Sequence, residues 1–177
     1  MTKTNEKISI RKALAAEDAK LVAVLGAVTF YEAYYEHDDP ADLAGYIADA
    51  FSTKRIRAEM ESPHAAFFII YADERAVGYA KMRTDSRADC IEEENSIELQ
   101  RIYILERVFG RGIGETLLKH CLETARRKGF RTLWLGVWEE NLRAQRFYIK
   151  HGFRRVGTLS FPYGGGEGVN FVKKIDL

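Results

Sequence analysis

Phe109-Gly110-Arg111-Gly112-Ile113-Gly114, running on into Glu115-Thr116-Leu117-Leu118, decides how this chain folds. An apolar stretch, Ile97 to Leu105, leads up to it, and a helical pattern follows. Closely spaced glycines between a strand and a helix let the backbone approach a ligand and aim its N–H groups at it. The helix start adds about half a positive charge, and Arg111 adds a charged hydrogen-bond donor. The stretch therefore reads as an anion site. It is not a dinucleotide fingerprint, because Leu117 stands where the third glycine of G-x-G-x-x-G falls. Nor is it a P-loop, because Gly114-Glu115-Thr116 lacks the lysine. The plain alternative is a tight strand-to-helix turn that holds no ligand, and the glycines alone leave both readings open.

The elements on either side follow from periodicity. Downstream, Glu115 to Lys128 predicts a helix with Leu117, Leu118, Cys121, Leu122 and Ala125 on one face, a basic last turn and Gly129 as cap. Thr132 to Trp138 reads as a buried strand, and Asn141 to His151 as a short helix closed by Gly152. Arg154 to Phe161 and Val169 to Ile175 read as closing strands joined by a Gly-rich turn. Upstream, Ile8 to Lys12 alternates as a strand, and Ala16 to Tyr35 reads as a helix burying Leu21, Val24, Leu25 and Val28. One further helical stretch runs from Pro40 and Asp42 to about Glu61, stopped by Ser62-Pro63. Ala66 to Tyr71 and Ala76 to Arg83 are strands around the turn Asp73-Glu74-Arg75, followed by an acidic loop, Asp85 to Asn95. This order predicts an α/β (α+β) fold with a mixed central sheet of about six to seven strands and helices on both faces.

Bulk composition agrees. The 177 residues suit a single domain, 1–177, with a polar tail at 1–7. A 46% hydrophobic and 12% aromatic chain can bury a core. With 27 Lys plus Arg against 26 Asp plus Glu, no net charge draws it to nucleic acid or a membrane. The tail lacks the apolar core of a signal peptide, and two cysteines make no disulfide framework, which predicts a cytoplasmic location with both thiols reduced.

Gly112-Ile113-Gly114 followed by Glu115-Thr116-Leu117-Leu118 resembles the coenzyme A loop of the GNAT acetyltransferase superfamily, which reads Gln/Arg-x-x-Gly-x-Gly/Ala. Aligned on the helix start, the family's polar position falls on Phe109. That departure removes a side-chain contact to the pyrophosphate and leaves the backbone cradle. A second block, Trp134-Leu135-Gly136-Val137-Trp138-Glu139-Glu140-Asn141, then Ala144, Phe147-Tyr148 and Gly152-Phe153, resembles the family's second cofactor segment. The two blocks stand in the family's order, and Ile-Glu-Leu-Gln-Arg-Ile-Tyr-Ile with Trp-Leu-Gly-Val-Trp-Glu look most like the bacterial polyamine (spermidine/spermine) acetyltransferases of the PaiA type. The resemblance implies the GNAT fold, acetyl-CoA as co-substrate and no metal. It puts coenzyme A on Phe109, Gly110, Arg111, Gly112, Ile113, Gly114 and Glu115, on the backbone of Ile102, Tyr103 and Ile104, where the oxyanion donors are expected, and on Asn141 and Ala144.

Acetyl transfer to an amine needs a deprotonated nucleophile, a held thioester, an oxyanion site and a proton for the departing thiolate. An amine with a pKa of about 10.4 is mostly protonated at neutral pH, so a base helps. Glu98, in the strand before the loop, is the candidate base. Its plain alternative is a solvated glutamate or an ion pair with Arg101. Tyr148 is the candidate acid by resemblance. A phenol near 10 giving a proton to a thiolate near 8.5 is uphill by roughly 2 kcal/mol, so Tyr148 acts mainly by hydrogen-bonding the thiolate. Its alternative is a helix tyrosine with its ring in the core. Cys121 reads as core and Cys90 as an unactivated thiol in an acidic loop. His37, His64, His120 and His151 show no metal-ligand spacing.

For the acceptor, Phe30, Tyr31, Tyr34 and Glu36 join aromatic faces to acids, as suits a polyamine or another small cationic amine. The acids from Asp89 to Glu94 are a second candidate, and Trp138 and Tyr163 are expected to line the acceptor side. A solvated charged face is the alternative for both runs. A protein or peptide N-terminal amine, or a non-catalytic coenzyme A-binding module, remain open readings. The expected partners are a small-molecule amine, no nucleic acid and no membrane, for a monomer or homodimer.

Overall fold

The computed structural model describes residues 6–163 and 166–177. Residues 1–5 of the expected tail, the centre of the expected Gly-rich turn and the Tyr163 side chain lie outside the described residues. The elements run β1 (Ile8–Lys12), α1 (Ala15–Tyr34), α2 (Pro40–Ala50), α3 (Thr53–Glu61), β2 (Ala65–Ala72), β3 (Arg75–Arg83), β4 (Ser96–Ile104), a 3-10 turn at Glu106–Val108, α4 (Ile113–Arg127), β5 (Thr132–Trp138), α5 (Leu142–Lys150), β6 (Arg154–Tyr163) and β7 (Gly166–Asp176). The strands form one seven-stranded sheet in the order β1-β2-β3-β4-β5-β7-β6. It is mixed, with β4 and β5 parallel and β1–β2, β5–β7 and β7–β6 antiparallel. This is the expected mixed α/β architecture. The chain divides into two compact units, Met1–Lys81 with Arg101–Lys119, and Met82–Gln100 with His120–Leu177. No described helix is long and apolar enough to cross a membrane.

In the first unit, β1 pairs with β2 from Ile8 opposite Ala72 to Lys12 opposite Phe68. A two-residue turn, Asp73 and Glu74, both at positive φ, joins β2 to β3 and matches the right-handed twist of a hairpin. The start of α1 is held by Asp18, which accepts from Leu14 N (2.7 Å) and from both terminal nitrogens of Arg11 (2.6 and 2.7 Å). The buried face of α1 differs from the expected one. It carries Asp18, Ala19, Val22, Ala23, Leu25, Gly26, Thr29 and Phe30, whereas Val24 is 61% exposed and Val28 37%. α1 is apolar around much of its girth, so periodicity cannot choose the side. Close packing does: a Cβ on Gly26 would lie 2.3 Å from the Phe51 ring and 3.0 Å from the Tyr79 hydroxyl. The single helix expected from Pro40 to Glu61 is two, because Ser52 is extended and its Oγ caps α3 by accepting from Arg55 N at 3.3 Å.

In the second unit, the core gathers on Trp134, with Ala88, Ile91 and Val172 buried around it and Cys90 and Val156 packed alongside. The acidic loop is thereby anchored rather than free in solvent. Arg87 donates to the carbonyls of Glu93 (3.1 Å) and Glu94 (3.0 Å), and Lys174 pairs with Glu93. A register shift lies between Arg155 and Gly157 in β6, where a Cβ on Gly157 would meet Cys90 Sγ at 2.6 Å. Cys121 is fully buried, and burial pushes its thiol up to about 12, so it is core rather than a nucleophile.

Candidate functional site

The glycine loop belongs to the first unit. Gly110 and Gly112 sit at φ 78° and 79°, in the left-handed region that favours glycine, and a Cβ at either would meet nothing within 4 Å. Open space on the far side of a left-handed turn is what a backbone cradle for an anion requires. α4 begins at Ile113, so the N–H groups of Ile113, Gly114 and Glu115 belong to its first turn and have no intrahelical acceptor. Thr116 N and Oγ1 both donate to Gly112 O, at 2.9 and 3.0 Å, and lock the loop to the helix. Arg111 reaches Glu6 (3.1 Å) and the Arg107 carbonyl (3.3 Å), and Glu115 pairs with Lys119. Phe109 is exposed beside the loop. In the same unit, Leu105 N donates to Val77 O at 2.9 Å, and a Cβ on Gly78 would lie 2.3 Å from Tyr103 O. β3 thus holds the end of β4, where Ile102, Tyr103 and Ile104 stand.

The second unit carries Glu98, Trp138, Asn141, Ala144 and Tyr148. The parallel ladder covers Ser96–Glu98 against Thr132–Trp134, so Glu98 is its last pair, while β5 runs on to Trp138 opposite Asn170 of β7. Glu98 is 8% exposed. It is therefore not a solvated glutamate, and Arg101 pairs with Glu59 instead. Asn141 caps α5, accepting from Ala144 N at 3.0 Å. At the other end Gly152, at φ 88°, lets Phe153 N donate to Tyr148 O (3.0 Å) and Gly152 N to Ile149 O (3.0 Å), a Schellman ending. Tyr148 is 8% exposed, its ring 5.5 Å from Phe153 and 5.4 Å from Phe147. Both ends of the helix are capped, and the tyrosine between them is buried.

A left-handed glycine loop at a helix start and a pinned tyrosine helix after the next strand are the two parts the resemblance demands. Residues 27–153 match the Acetyltransferase (GNAT) family. The chain belongs to the GNAT family. An uncharacterised N-acetyltransferase of Mycobacterium bovis is 33% identical over 161 residues, 90% of this chain and 98% of that protein. The N-acetylaspartate synthetase of Homo sapiens is 29% identical over 144 residues, 77% of this chain and 42% of that protein. The crystal structure of PaiA N-acetyltransferase from Thermoplasma acidophilum in complex with coenzyme A is similar at a TM-score of 0.74 and 20% identity, covering 97% of this chain and 99% of that one. As a GNAT enzyme the chain uses acetyl-CoA, and its left-handed loop and first-turn amides suit a pyrophosphate. Among the described residues no group of three or more His, Cys, Asp or Glu converges to hold a metal.

The GNAT acceptor candidates divide. Phe30 is buried, stacks on Tyr46 (4.7 Å) and meets Tyr34 at a tilt (4.3 Å). Tyr31 turns outward and stacks on Tyr35 (5.8 Å), whose hydroxyl donates to Glu36 at 2.9 Å. Of the second acidic run, Glu93 is engaged by Lys174. A further group escaped the sequence reading. Glu59 on α3, Lys81 on β3 and Arg101 on β4 form a buried ion triad beneath Phe51, Phe67, Tyr79 and Tyr103. Its one signal in the sequence is Lys81, a charge inside the otherwise apolar run Val77 to Met82.

Proposed function

We propose that this chain acetylates a small primary amine by direct attack of the amine on acetyl-CoA in a ternary complex. Acetyl-CoA supplies the acetyl group as a thioester. The loop from Phe109 to Glu115 holds the pyrophosphate on backbone N–H groups, and the backbone at Ile102 to Ile104 orients the thioester and receives the developing oxyanion. Glu98 takes the proton that the acceptor ammonium must lose before its free amine attacks, directly or through water, and the second proton that the nitrogen sheds as the amide forms passes through solvent to the departing thiolate. As the new C–N bond forms and the C–S bond breaks, the Tyr148 hydroxyl hydrogen-bonds the departing sulfur.

The observation that carries this reading is the capping of α5 at both ends, which holds a buried Tyr148 seven residues after the Asn141 cap. Tyr148→Phe is expected to lower kcat by about a hundredfold, the cost of removing one hydrogen-bond donor from charge that develops in the transition state, with acetyl-CoA affinity within about twofold. Thiol release and calorimetric titration read the two quantities, and an unchanged kcat removes Tyr148 from the mechanism. A polyamine or other small cationic acceptor draws support from the exposed Tyr31–Tyr35 stack beside Glu36. The N-acetylaspartate synthetase relative, by its name, favours an amino-acid acceptor instead.

A further inference from the structure

The triad under α1–α3 is built like a receptor for an anion. Glu59 Oε2 accepts from Arg101 Nη1 and from Lys81 Nζ, both at 2.8 Å, and Glu59 Oε1 takes only a longer bond from Arg101 Nη2, 3.3 Å. The Arg101 side chain is 11% exposed and Lys81 5%. Burial pushes the Glu59 carboxyl up, yet Arg101 and Lys81 outweigh it and hold the group below its usual range. The guanidinium lies 5.2 Å over Phe51, so its flat face is walled and its edge is what it offers.

Two groups here have capacity to spare. Arg101 uses two of its five N–H groups on Glu59 and, beyond a loose contact with the Tyr79 hydroxyl, has N–H groups to spare. The Tyr79 hydroxyl is fully buried and feels the Arg101 charge, yet makes no hydrogen bond of ordinary geometry. A buried phenol held only by a poorly formed contact with Arg101 is costly, and a carboxylate satisfies both groups at once through the two-pronged geometry that arginine favours. Position gives the rest. Arg101 and Tyr103 lie on one face of β4 and flank Ile102, at the backbone assigned above to the thioester. Strand rise separates Arg101 from Tyr103 by about 7 Å, within the reach of a small amine bearing an acid group.

We propose that Arg101 and Tyr79 select an acceptor that carries a carboxylate as well as the primary amine. The proposal rests on the acetyl-transfer reading and sets aside a polyamine, whose second ammonium would meet a buried guanidinium.

The test measures thiol release at saturating acetyl-CoA with L-phenylalanine against 2-phenylethylamine, L-leucine against 3-methylbutylamine, L-aspartate, L-glutamate and spermidine. The wild-type enzyme is expected to favour the carboxylated member of a pair, or a dicarboxylic amino acid, by about tenfold or more in kcat/KM. Arg101→Gln is expected to raise the acceptor KM by about tenfold while the acetyl-CoA KM stays within twofold. Arg101→Lys, which keeps the charge but not the fork, recovers part of that loss. Tyr79→Phe is expected to raise the acceptor KM severalfold with little change in melting temperature, since the hydroxyl has only a poorly formed contact with Arg101 in the unliganded fold. If Arg101→Gln does not fold, the wild-type ratios and Tyr79→Phe decide. Preference for spermidine or for the decarboxylated amines, or an acceptor KM unmoved in Tyr79→Phe and Arg101→Lys, overturns the proposal. Absence of thiol release with every amine, despite coenzyme A binding, overturns the acetyl-transfer reading instead.

Discussion

Gly112 shows how far one residue can be read. Its spacing from Gly110 and Gly114 marks a turn into a helix, but only its φ of 79° explains why a side chain is disfavoured there. The space around its missing Cβ is open, so strain, not collision, is the cost. A valine forced to that φ costs about 1–3 kcal/mol, which the loop avoids by moving its N–H groups. Gly112→Val is therefore expected to raise the coenzyme A Kd by about tenfold or more in calorimetric titration, with the melting temperature lowered by only a few degrees. Wild-type affinity in that variant removes the pyrophosphate from this loop. Glu98 was legible as a strand residue but not as a buried one, because alternation along Ile97 to Leu105 does not tell that both faces of β4 are covered there.

At the scale of elements, stops were more legible than faces. Gly129 and Gly152 mark the ends of α4 and α5, and both structures close by the same left-handed turn, with Phe130 N on Ala125 O (3.1 Å) and Phe153 N on Tyr148 O (3.0 Å). The Ser52 break was missed because a helix pattern continues in phase across it, and the buried side of α1 was missed because its contacts are long-range. α5 offers a separable test of a cap that also stands in the cofactor segment. Asn141→Ala is expected to cost about 1 kcal/mol of stability, or about 2–4 °C in melting temperature, by leaving Ala144 N without its partner. Asn141→Ser restores an N-cap oxygen, so it keeps the melting temperature near wild type. If the Asn141 amide also touches coenzyme A, the serine variant binds it more weakly despite its intact fold. Equal affinity in the serine variant and the wild type limits Asn141 to the cap.

For the molecule as a whole, the order of elements carried the fold, because each helix and strand declares itself locally and the parallel crossover at β4–β5 needs a helix between. The ion triad was not legible, because Glu59, Lys81 and Arg101 are brought together from three elements by packing alone. Such inward charges also set the acid limit of stability. Asp18, 3% exposed, is held below its usual range chiefly by hydrogen bonds from Arg11, and Glu59 by Arg101 and Lys81 against its own burial. A carboxyl lowered on folding contributes stability that is fully present above its unfolded pKa, about 3.9 for Asp and 4.3 for Glu, and is lost as pH falls through the folded value. The melting temperature is therefore expected to be level from pH 7 to about 5.5 and to fall steeply below about pH 4.5. Arg11 is half exposed, so solvent screens its pair and Asp18 contributes about 1–2 kcal/mol rather than the full value of a buried bridge. Asp18→Asn is expected to start lower at pH 7 and to descend less steeply in acid, because one proton fewer is taken up on unfolding. Circular-dichroism melts at half-unit steps of pH read both slopes, and parallel acid limbs for Asp18→Asn and wild type show that the carboxylate is not coupled to folding.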